Sequence, residues 1–326
     1  MKVLALDFGG SSVKYGVVDE NATITNNGKF PAPLDSIEQL TDAVKEIYEE
    51  YKDDVAGIGI SFPGNINPET GFLYEGGVYM KLYEKSVKEL IQANCKCPVE
   101  IENDGKCAAL SEAWKGSLKD VKDGIVLILG SGIAGGIIKD HKVHSGKGFN
   151  AGEFSYTITN PGDASITSCA YFASAALGIT YKLCKMKNLD FAVQDSAPTL
   201  EYMDKIFGDK FPKEEDRLKQ IKVDGKQFFK WVQEGDSDAV KVYKDFVTAL
   251  ATLIFNAQIC YAPERIVIGG GLSLADQIIP DIQKEVDRYY KGFNLSDRFR
   301  AEIVRSTYLN ESNLYGATYN FMIRNS

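Results

Sequence analysis

The apolar and polar positions of the first thirty residues fall into strand-length runs separated by small residues. Val3-Leu4-Ala5-Leu6 is apolar and stops at Asp7-Phe8-Gly9-Gly10-Ser11-Ser12; Val13-Lys14-Tyr15-Gly16-Val17-Val18 follows, Asp19-Glu20-Asn21 turns, and a third run covers Ala22 to Lys29. Runs of this length bounded by Gly, Ser, Asp and Asn predict an antiparallel meander. The pattern then lengthens. Ile37, Leu40, Val44, Ile47 and Tyr51 recur at spacings of three and four, which predicts a helix over 36–51, with Ser36 and Gln39 as a capping box. A buried strand over Val55–Ser61 ends at Phe62-Pro63-Gly64. A helix over about 84–93 leads to a strand at Pro98–Ile101, which runs into Glu102-Asn103-Asp104-Gly105 and a helix through Trp114.

A second strand–glycine turn–strand unit begins at Gly124: Ile125 to Leu129, then Gly130-Ser131-Gly132-Ile133-Ala134-Gly135, then Gly136-Ile137-Ile138. Shifted by 120 residues, Gly10-Ser11 falls on Gly130-Ser131 and Gly16 on Gly136. Two glycine hairpins, each opening one half of the chain, suggest a duplicated architecture. The remainder reads as helices at about 167–187, 199–207, 224–233, 237–261, 274–291 and 311–323. Strands fall at 265–268 and 302–305. The Lys- and Asp-rich stretch 188–235 reads as a solvated helical elaboration.

The glycine turns are the candidate chemistry. In Asp7-x-Gly9-Gly10-Ser11-Ser12-x-Lys14, glycine lets backbone N–H groups approach a phosphate, and Asp7 offers a magnesium-type carboxylate; a tight hairpin with Asp7 as turn former remains the alternative. Gly130 to Gly136 has the same two readings. In Ile268-Gly269-Gly270-Gly271, a strand enters a triple glycine where a flat purine could approach the backbone, or where a strand simply turns into a helix. No GxxxxGK[ST] loop is present, and no strand–GxGxxG–helix unit.

Composition narrows the classes. The 326 residues suggest two domains, and 44% apolar with 25% charged residues is ordinary for a globular protein. The formal charge of −8 argues against broad nucleic-acid binding, which needs a basic stripe. Neither a signal peptide nor an apolar run of about 20 residues is present, so no membrane association is expected. Six cysteines without a secretory leader point to reduced thiols in the cytoplasm. Cys95-Lys96-Cys97 fits neither a CxxC redox site nor half a zinc ribbon.

In this order the motifs resemble those of the ROK family of sugar kinases. Asp7 to Lys14 looks like its first phosphate motif, with serine where threonine is usual. Gly57-Ile58-Gly59-Ile60-Ser61-Phe62-Pro63-Gly64 looks like its strand toward the sugar, and Glu102-Asn103-Asp104-Gly105 like its catalytic segment. Gly130–Gly136 looks like the second phosphate loop, Ala151-Gly152-Glu153-Phe154 like the start of the sugar motif, and Ile268–Gly271 like the adenosine motif. The resemblance covers nearly the whole chain. It implies an α/β, two-lobed actin/hexokinase-like (ribonuclease H-like) fold with duplicated mixed sheets flanked by helices. The expected small lobe is 1–115 plus 311–326, and the expected large lobe is 116–310.

The resemblance also implies roles. Asp104 would be the base that accepts a sugar hydroxyl proton; read from the residues alone, it N-caps the following helix. Asn103, Glu153, Gly64 and Asn65 would meet the sugar. Asp7 (toward Mg2+, through water or phosphate), Gly9, Gly10, Ser11, Ser12, Lys14, Ser131, Gly132, Ile133, Gly270 and Gly271 would meet ATP, although Lys14 also reads as a solvated strand lysine. A homodimer is expected.

One departure bears on metal and substrate. The family places a histidine three residues after the glutamate and then a cysteine-rich, zinc-binding segment. Here Tyr156 stands at the histidine position, and Asp163 to Tyr171 holds one cysteine, Cys169. Both histidines, His141 and His144, precede Glu153, so no structural zinc is expected. The family's second sugar-binding glutamate also has no counterpart, Ala170 or Tyr171 falling near it. Looser recognition near sugar positions one and two would suit a β-glucoside or N-acetylmannosamine, with plain glucose or fructose as the remaining alternative. The family's repressors carry a helix-turn-helix ahead of the first phosphate motif; with that motif at residue 7, a repressor is not expected. A non-catalytic sugar sensor or a sugar-independent ATPase of the same fold is the remaining alternative.

Overall fold

The computed structural model describes residues 1–162, 166–189 and 223–326. The first half contains β1 (Lys2–Phe8), β2 (Ser12–Asp19), β3 (Ile24–Pro31), α1 (Ile37–Tyr51), β4 (Ile58–Phe62), β5 (Asn65–Ile66), β6 (Phe72–Glu75), β7 (Lys85–Ser86), α2 (Val87–Cys95), β8 (Val99–Asn103) and α3 (Asp104–Lys115). The second contains β9 (Gly124–Leu129), β10 (Ile133–Lys139), β11 (Lys142–Val143), α4 (Ala170–Ala173), α5 (Ala176–Lys187), α6 (Gly225–Gln233), α7 (Ser237–Tyr261), β12 (Arg265–Gly269), α8 (Ile278–Gly292), β13 (Glu302–Arg305) and α9 (Ser312–Arg324). The expected helix at 199–207, and most of the expected elaboration at 188–235, lie outside the described residues.

The duplication suggested by the two hairpins is carried through the whole sheet. One five-stranded sheet runs β3-β2-β1-β4-β8 and the other β11-β10-β9-β12-β13. In each, a three-stranded antiparallel meander continues through its first strand into two parallel strands. The inner strands β4, β9 and β12 are apolar almost end to end, as strands covered on both faces must be. Each sheet anchors its own core. One gathers Leu4, Leu6, Phe8, Leu40, Val44, Ile60, Phe62 and Ile91; the other gathers Ile125, Leu127, Phe246, Leu250, Ile254, Ile268 and Ile282.

Local chemistry explains most element boundaries. Ser36 caps α1, its Oγ accepting from Gln39 N at 3.1 Å, while Gln39 Oε1 accepts from Asp35 N at 3.1 Å. Leu40, Val44 and Tyr48 bury one stripe of that helix. The third strand is displaced from 22–29 to Ile24–Pro31 because Ala22, at φ 62°, still belongs to the turn. The expected helix from 274 begins at Ile278, after a 3₁₀ turn over Gly271–Leu274. The expected helix at 167–187 is broken between α4 and α5 at Ser174 and Ala175. The three-stranded sheet β5-β6-β7 was not expected from the sequence; strands of two to four residues are too short to show a period.

Two contacts fix the middle of the molecule. Buried Glu112 near the end of α3 accepts from Ser306 Oγ (2.6 Å), Thr307 N (3.0 Å) and Tyr308 N (3.1 Å) through one oxygen, and from Ser117 N (2.7 Å) through the other. Four donors satisfy a carboxylate that burial would otherwise penalise. In α9, an added Cβ at Gly316 would lie 1.8 Å from Cys107 O of α3, so the two helices touch backbone to backbone. Among the described residues no helix is long and apolar enough to cross a membrane. Because the α3–α9 crossing leaves no room for a methyl group, Gly316→Ala should destabilise the protein by about 3 kcal/mol, the upper range for overpacking. Chemical denaturation measures this; a change below about 0.5 kcal/mol, the scale of neutral surface substitutions, would show that the helices are not in contact there.

Candidate active site

The centre of the site is the junction of β8 and α3. Asn103, the last residue of β8, is the N-cap: its Oδ1 accepts from Lys106 N at 3.1 Å. Its Nδ2 donates to Gly64 O and to Asp104 Oδ1, both at 3.0 Å. This corrects the alternative in which Asp104 caps the helix. Asp104 is instead the first helical residue, and Gly105 N donates to its Oδ1 at 2.7 Å. Both protein hydrogen bonds fall on Oδ1, and among the described residues Oδ2 takes none. Burial, then the negative charge of Glu153, lift the Asp104 carboxyl to about 7; the Gly105 N–H and the Lys106 ammonium pull it down, and Asp7 raises it.

Lys106 is the residue that sequence reading missed. It is 1% exposed although it sits one turn into a helix. Its ammonium donates to Phe149 O at 2.8 Å and lies 4.0 Å from Glu153 Oε1. It also acts favourably on the buried carboxyls of Glu102 and Asp104. Glu153 is thereby joined to α3, and burial raises its carboxyl while Lys106 opposes the rise. The only signal in the sequence was a lysine at an inward position of an otherwise small and apolar helix face, Gly105-Lys106-Cys107-Ala108-Ala109.

Asp7, at the end of β1, belongs to the same centre. Ser61 Oγ donates to its Oδ1 at 3.0 Å and Asn313 Nδ2 at 2.8 Å, so α9 reaches back from the end of the chain to hold it. Burial raises the Asp7 carboxyl against these two bonds and the charge of Lys14. Asn65 Oδ1 is buried, and no partner is present among the described residues. A buried acceptor left open beside Gly64 is costly unless a bound donor completes it.

The other expected residues fall on three turns. Gly9, Gly10, Ser11 and Ser12 join β1 to β2, with Gly9 N donating to Ser12 O at 3.1 Å; Tyr79, packed on Phe8 and Phe62, holds Gly9 O at 2.9 Å. Lys14 donates to Asn310 O at 3.1 Å, so its side chain is tied to the chain ahead of α9. Ser131, Gly132 and Ile133 join β9 to β10. The Ile133 N–H is already taken by Ser155 Oγ (3.1 Å), so that group braces the turn. Ala176 N and Leu177 N, at the start of α5, donate to Gly130 O and Ser131 O. Gly270 has φ 84° and lies so close to β9 that a Cβ would meet Leu129 O at 2.5 Å; beside Gly271 the space is open.

The segment after Glu153 closes on itself. Ala170 N donates to Thr157 O (2.8 Å), Thr159 N to Ser168 O (2.7 Å), and Ile158 bridges Cys169. Tyr171, near the position of the absent glutamate, lies against the Gly132 turn, where a Cβ would meet its Cε2 at 2.5 Å. Tyr156 is 66% exposed. Among the described residues no group of three or more His, Cys, Asp or Glu side chains is placed to hold a metal ion; Asp163 lies outside them.

Comparison with known proteins gives the same assignment across the chain. The model of the ROK family matches residues 3–322. A Listeria monocytogenes protein named beta-glucoside kinase is 29% identical over 323 residues, covering 99% of this chain and 98% of its own. A Vibrio parahaemolyticus N-acetyl-D-glucosamine kinase is 28% identical over 286 residues, covering 87% of this chain and 88% of its own. Among solved structures, the Lmo2764 protein of Listeria monocytogenes superposes with a TM-score of 0.80 at 27% identity, with both chains fully covered.

The raised Asp104 carboxyl sets a pH dependence of stability. Between the ordinary value of 3.8 and about 7 the folded state holds a proton that the unfolded state has lost, so this group lowers stability as pH rises through that window. Asp104→Asn removes the loss. Its melting temperature should exceed that of the wild type by several degrees at pH 8 and by much less at pH 5; a difference independent of pH contradicts the buried environment.

Proposed function

Because this chain belongs to the ROK family, we propose that it transfers the terminal phosphoryl group of ATP to a sugar hydroxyl, the 6-OH of a hexose, β-glucoside or N-acetylhexosamine, with Asp104 as the general base. The observation that carries this reading is the Asp104 carboxyl itself: raised to about 7, anchored through Oδ1 alone, at the head of a helix between two glycine hairpins. The sugar-kinase names of the full-length relatives support it.

The proposed chemistry needs few steps. Oδ2 of Asp104 accepts the proton of the attacking hydroxyl, the sugar oxygen bonds to the γ-phosphorus, and the bond to the β-phosphate oxygen breaks to release ADP. A base with a pKa near the working pH is matched to this task. Asn103, Gly64, Asn65 and Glu153 hold the sugar, the open Oδ1 of Asn65 accepting from a hydroxyl. The turns at Gly9–Ser12 and Ser131–Ile133 face the phosphates through the backbone N–H groups of Gly10, Ser11, Ser131 and Gly132, with Gly9 and Ile133 bracing them through their own bonds to Ser12 and Ser155, and the turn at Gly270–Gly271 admits the adenine. A magnesium ion carried with the nucleotide would neutralise phosphate charge, and Asp7, with one oxygen engaged, is the carboxylate to hold it directly or through water. The two separate cores support a division into a small lobe (1–115 plus 311–326) and a large lobe (116–310), which close on the substrates and exclude water. The pairing of Thr157–Thr159 with Ser168–Ala170 supports a chain without structural zinc; elemental analysis returning one zinc per protein would overturn that part.

A coupled assay of ADP release tests the main reading. Release should depend on added sugar, and Asp104→Asn should lower kcat by about 10²–10⁴-fold, the range for loss of a general base. The wild-type kcat/KM should fall below about pH 7 as the base protonates. Lys106→Met, which removes a charge that favours the carboxylate, should move that limb to higher pH and raise the sugar KM through Glu153. Sugar-independent ADP release that persists in Asp104→Asn contradicts the assignment.

A further inference from the structure

A short segment joins the acceptor side of the site to the first glycine turn, and no step of the proposed chemistry uses it. Gly76-Gly77-Val78-Tyr79 follows β6, whose last residue, Glu75, pairs with Asn65. Gly76 has φ 94°, a backbone shape that favours glycine, and it meets Gly64 backbone to backbone. An added Cβ on Gly76 would lie 3.0 Å from Gly64 Cα, and one on Gly64 would lie 2.7 Å from Gly76 O. Gly77 O accepts from Tyr83 Oη at 2.8 Å. The far end of the segment reaches the turn between β1 and β2. Val78 is the side chain that a Cβ on Gly10 would touch, at 3.7 Å. Tyr79 is 2% exposed, with its ring centroid 5.7 Å from that of Phe8 and 4.9 Å from that of Phe62, and its Oη donates to Gly9 O at 2.9 Å. Burial raises the phenol above its ordinary value, so this hydroxyl stays a donor.

The bond to Gly9 O aims a neighbouring donor. A trans peptide unit is planar, so its C=O and its N–H point in opposite directions. Holding Gly9 O toward Tyr79 therefore turns the Gly10 N–H to the opposite side. Two glycines in succession would otherwise leave this peptide plane free to rotate. At the other end of the segment, Asn103 Nδ2 donates to Gly64 O at 3.0 Å, and Asn65 Oδ1 is buried with no partner among the described residues. A sugar hydroxyl that completes Asn65 steadies the Gly64–Gly76 contact. On the reading of the site as a sugar kinase, we propose that Gly76–Tyr79 is a strap that couples the acceptor site to the phosphate turn, with Tyr79 as the positioning residue that aims the Gly10 N–H. Sugar binding then tightens the nucleotide, and the nucleotide tightens the sugar by the same factor.

Calorimetry with Mg2+ and the non-hydrolysable ATP analogue AMP-PNP measures the coupling. It is run with and without whichever of glucose, methyl β-glucoside and N-acetylglucosamine the wild type phosphorylates. In the wild type the sugar should tighten AMP-PNP at least about fivefold, the lower end of ordinary coupling between sites. Tyr79→Phe keeps the ring against Phe8 and Phe62 and removes only the bond to Gly9 O. It should bring the factor below about twofold, raise the KM for ATP at saturating sugar about fivefold, and leave the affinity for sugar alone within about twofold of the wild type. A tyrosine that only fills the core would lower the melting temperature, or weaken both ligands, without moving the factor. An unchanged factor in Tyr79→Phe, or a wild-type factor near one, overturns the strap and leaves the kinase reading intact. Failure of the wild type to phosphorylate any of the three sugars contradicts the kinase reading itself, and the strap falls with it.

Discussion

A buried ammonium among carboxylates is the constraint on which the site depends. Lys106 enters the protein between Glu102, Asp104 and Glu153, and its own charge is tolerable there only because those acids surround it. Lys106 in turn lowers the cost of burying the acids, together with the N–H groups of Asn103 and Gly105. The arrangement joins β8, α3 and the Phe149–Glu153 loop, which come from different halves of the chain, by an electrostatic bond that water cannot easily replace. The same balance leaves the Asp104 carboxyl near neutrality instead of fully ionised or permanently protonated. Removing either sign of charge would leave the other uncompensated, which is why structural and chemical roles cannot be separated at this point.

Around that centre the fold repeats one solution twice. Each meander turns at glycines that bring backbone N–H groups to its tip, and each sheet continues into a central parallel strand, β4 or β12, that is too apolar to lie anywhere but inside. Helix α3 leaves the first sheet and lies on β10 of the second, so closely that a Cβ on Gly105 would meet Gly135 N at 2.4 Å. Helix α9 returns from the end of the chain to the first sheet and supplies Asn313 to Asp7. The β9–β10 hairpin and the acid at the head of α3 are thus referenced to one another through backbone contact, with little freedom to drift.

Much of this was legible in the sequence because it rests on short-range pattern. Strand-length apolar runs ending in Asp7 or Asn103, and the two glycine hairpins spaced 120 residues apart, gave the sheets and their tips. The order of glycine, Asn-Asp and Gly-Glu motifs gave the family. What was not legible depends on distance along the chain. Nothing near Asp7 announces Asn313, and nothing near Lys106 announces Phe149 or Glu153. The stack of Tyr74 on Phe149 joins residues whose neighbourhoods show no common pattern. The small sheet β5-β6-β7 escaped because its strands are shorter than one period of alternation. The capping role moved from Asp104 to Asn103 because either residue can cap, and only the register of β8 against β4 decides which one is the last extended residue.

The most direct test of the central claim is the titration of the Asp104 carboxyl by carbon-detected NMR, with and without sugar. A midpoint near 7 that moves when sugar binds is the predicted result. A midpoint near the ordinary value of 3.8, unaffected by sugar, would contradict the account.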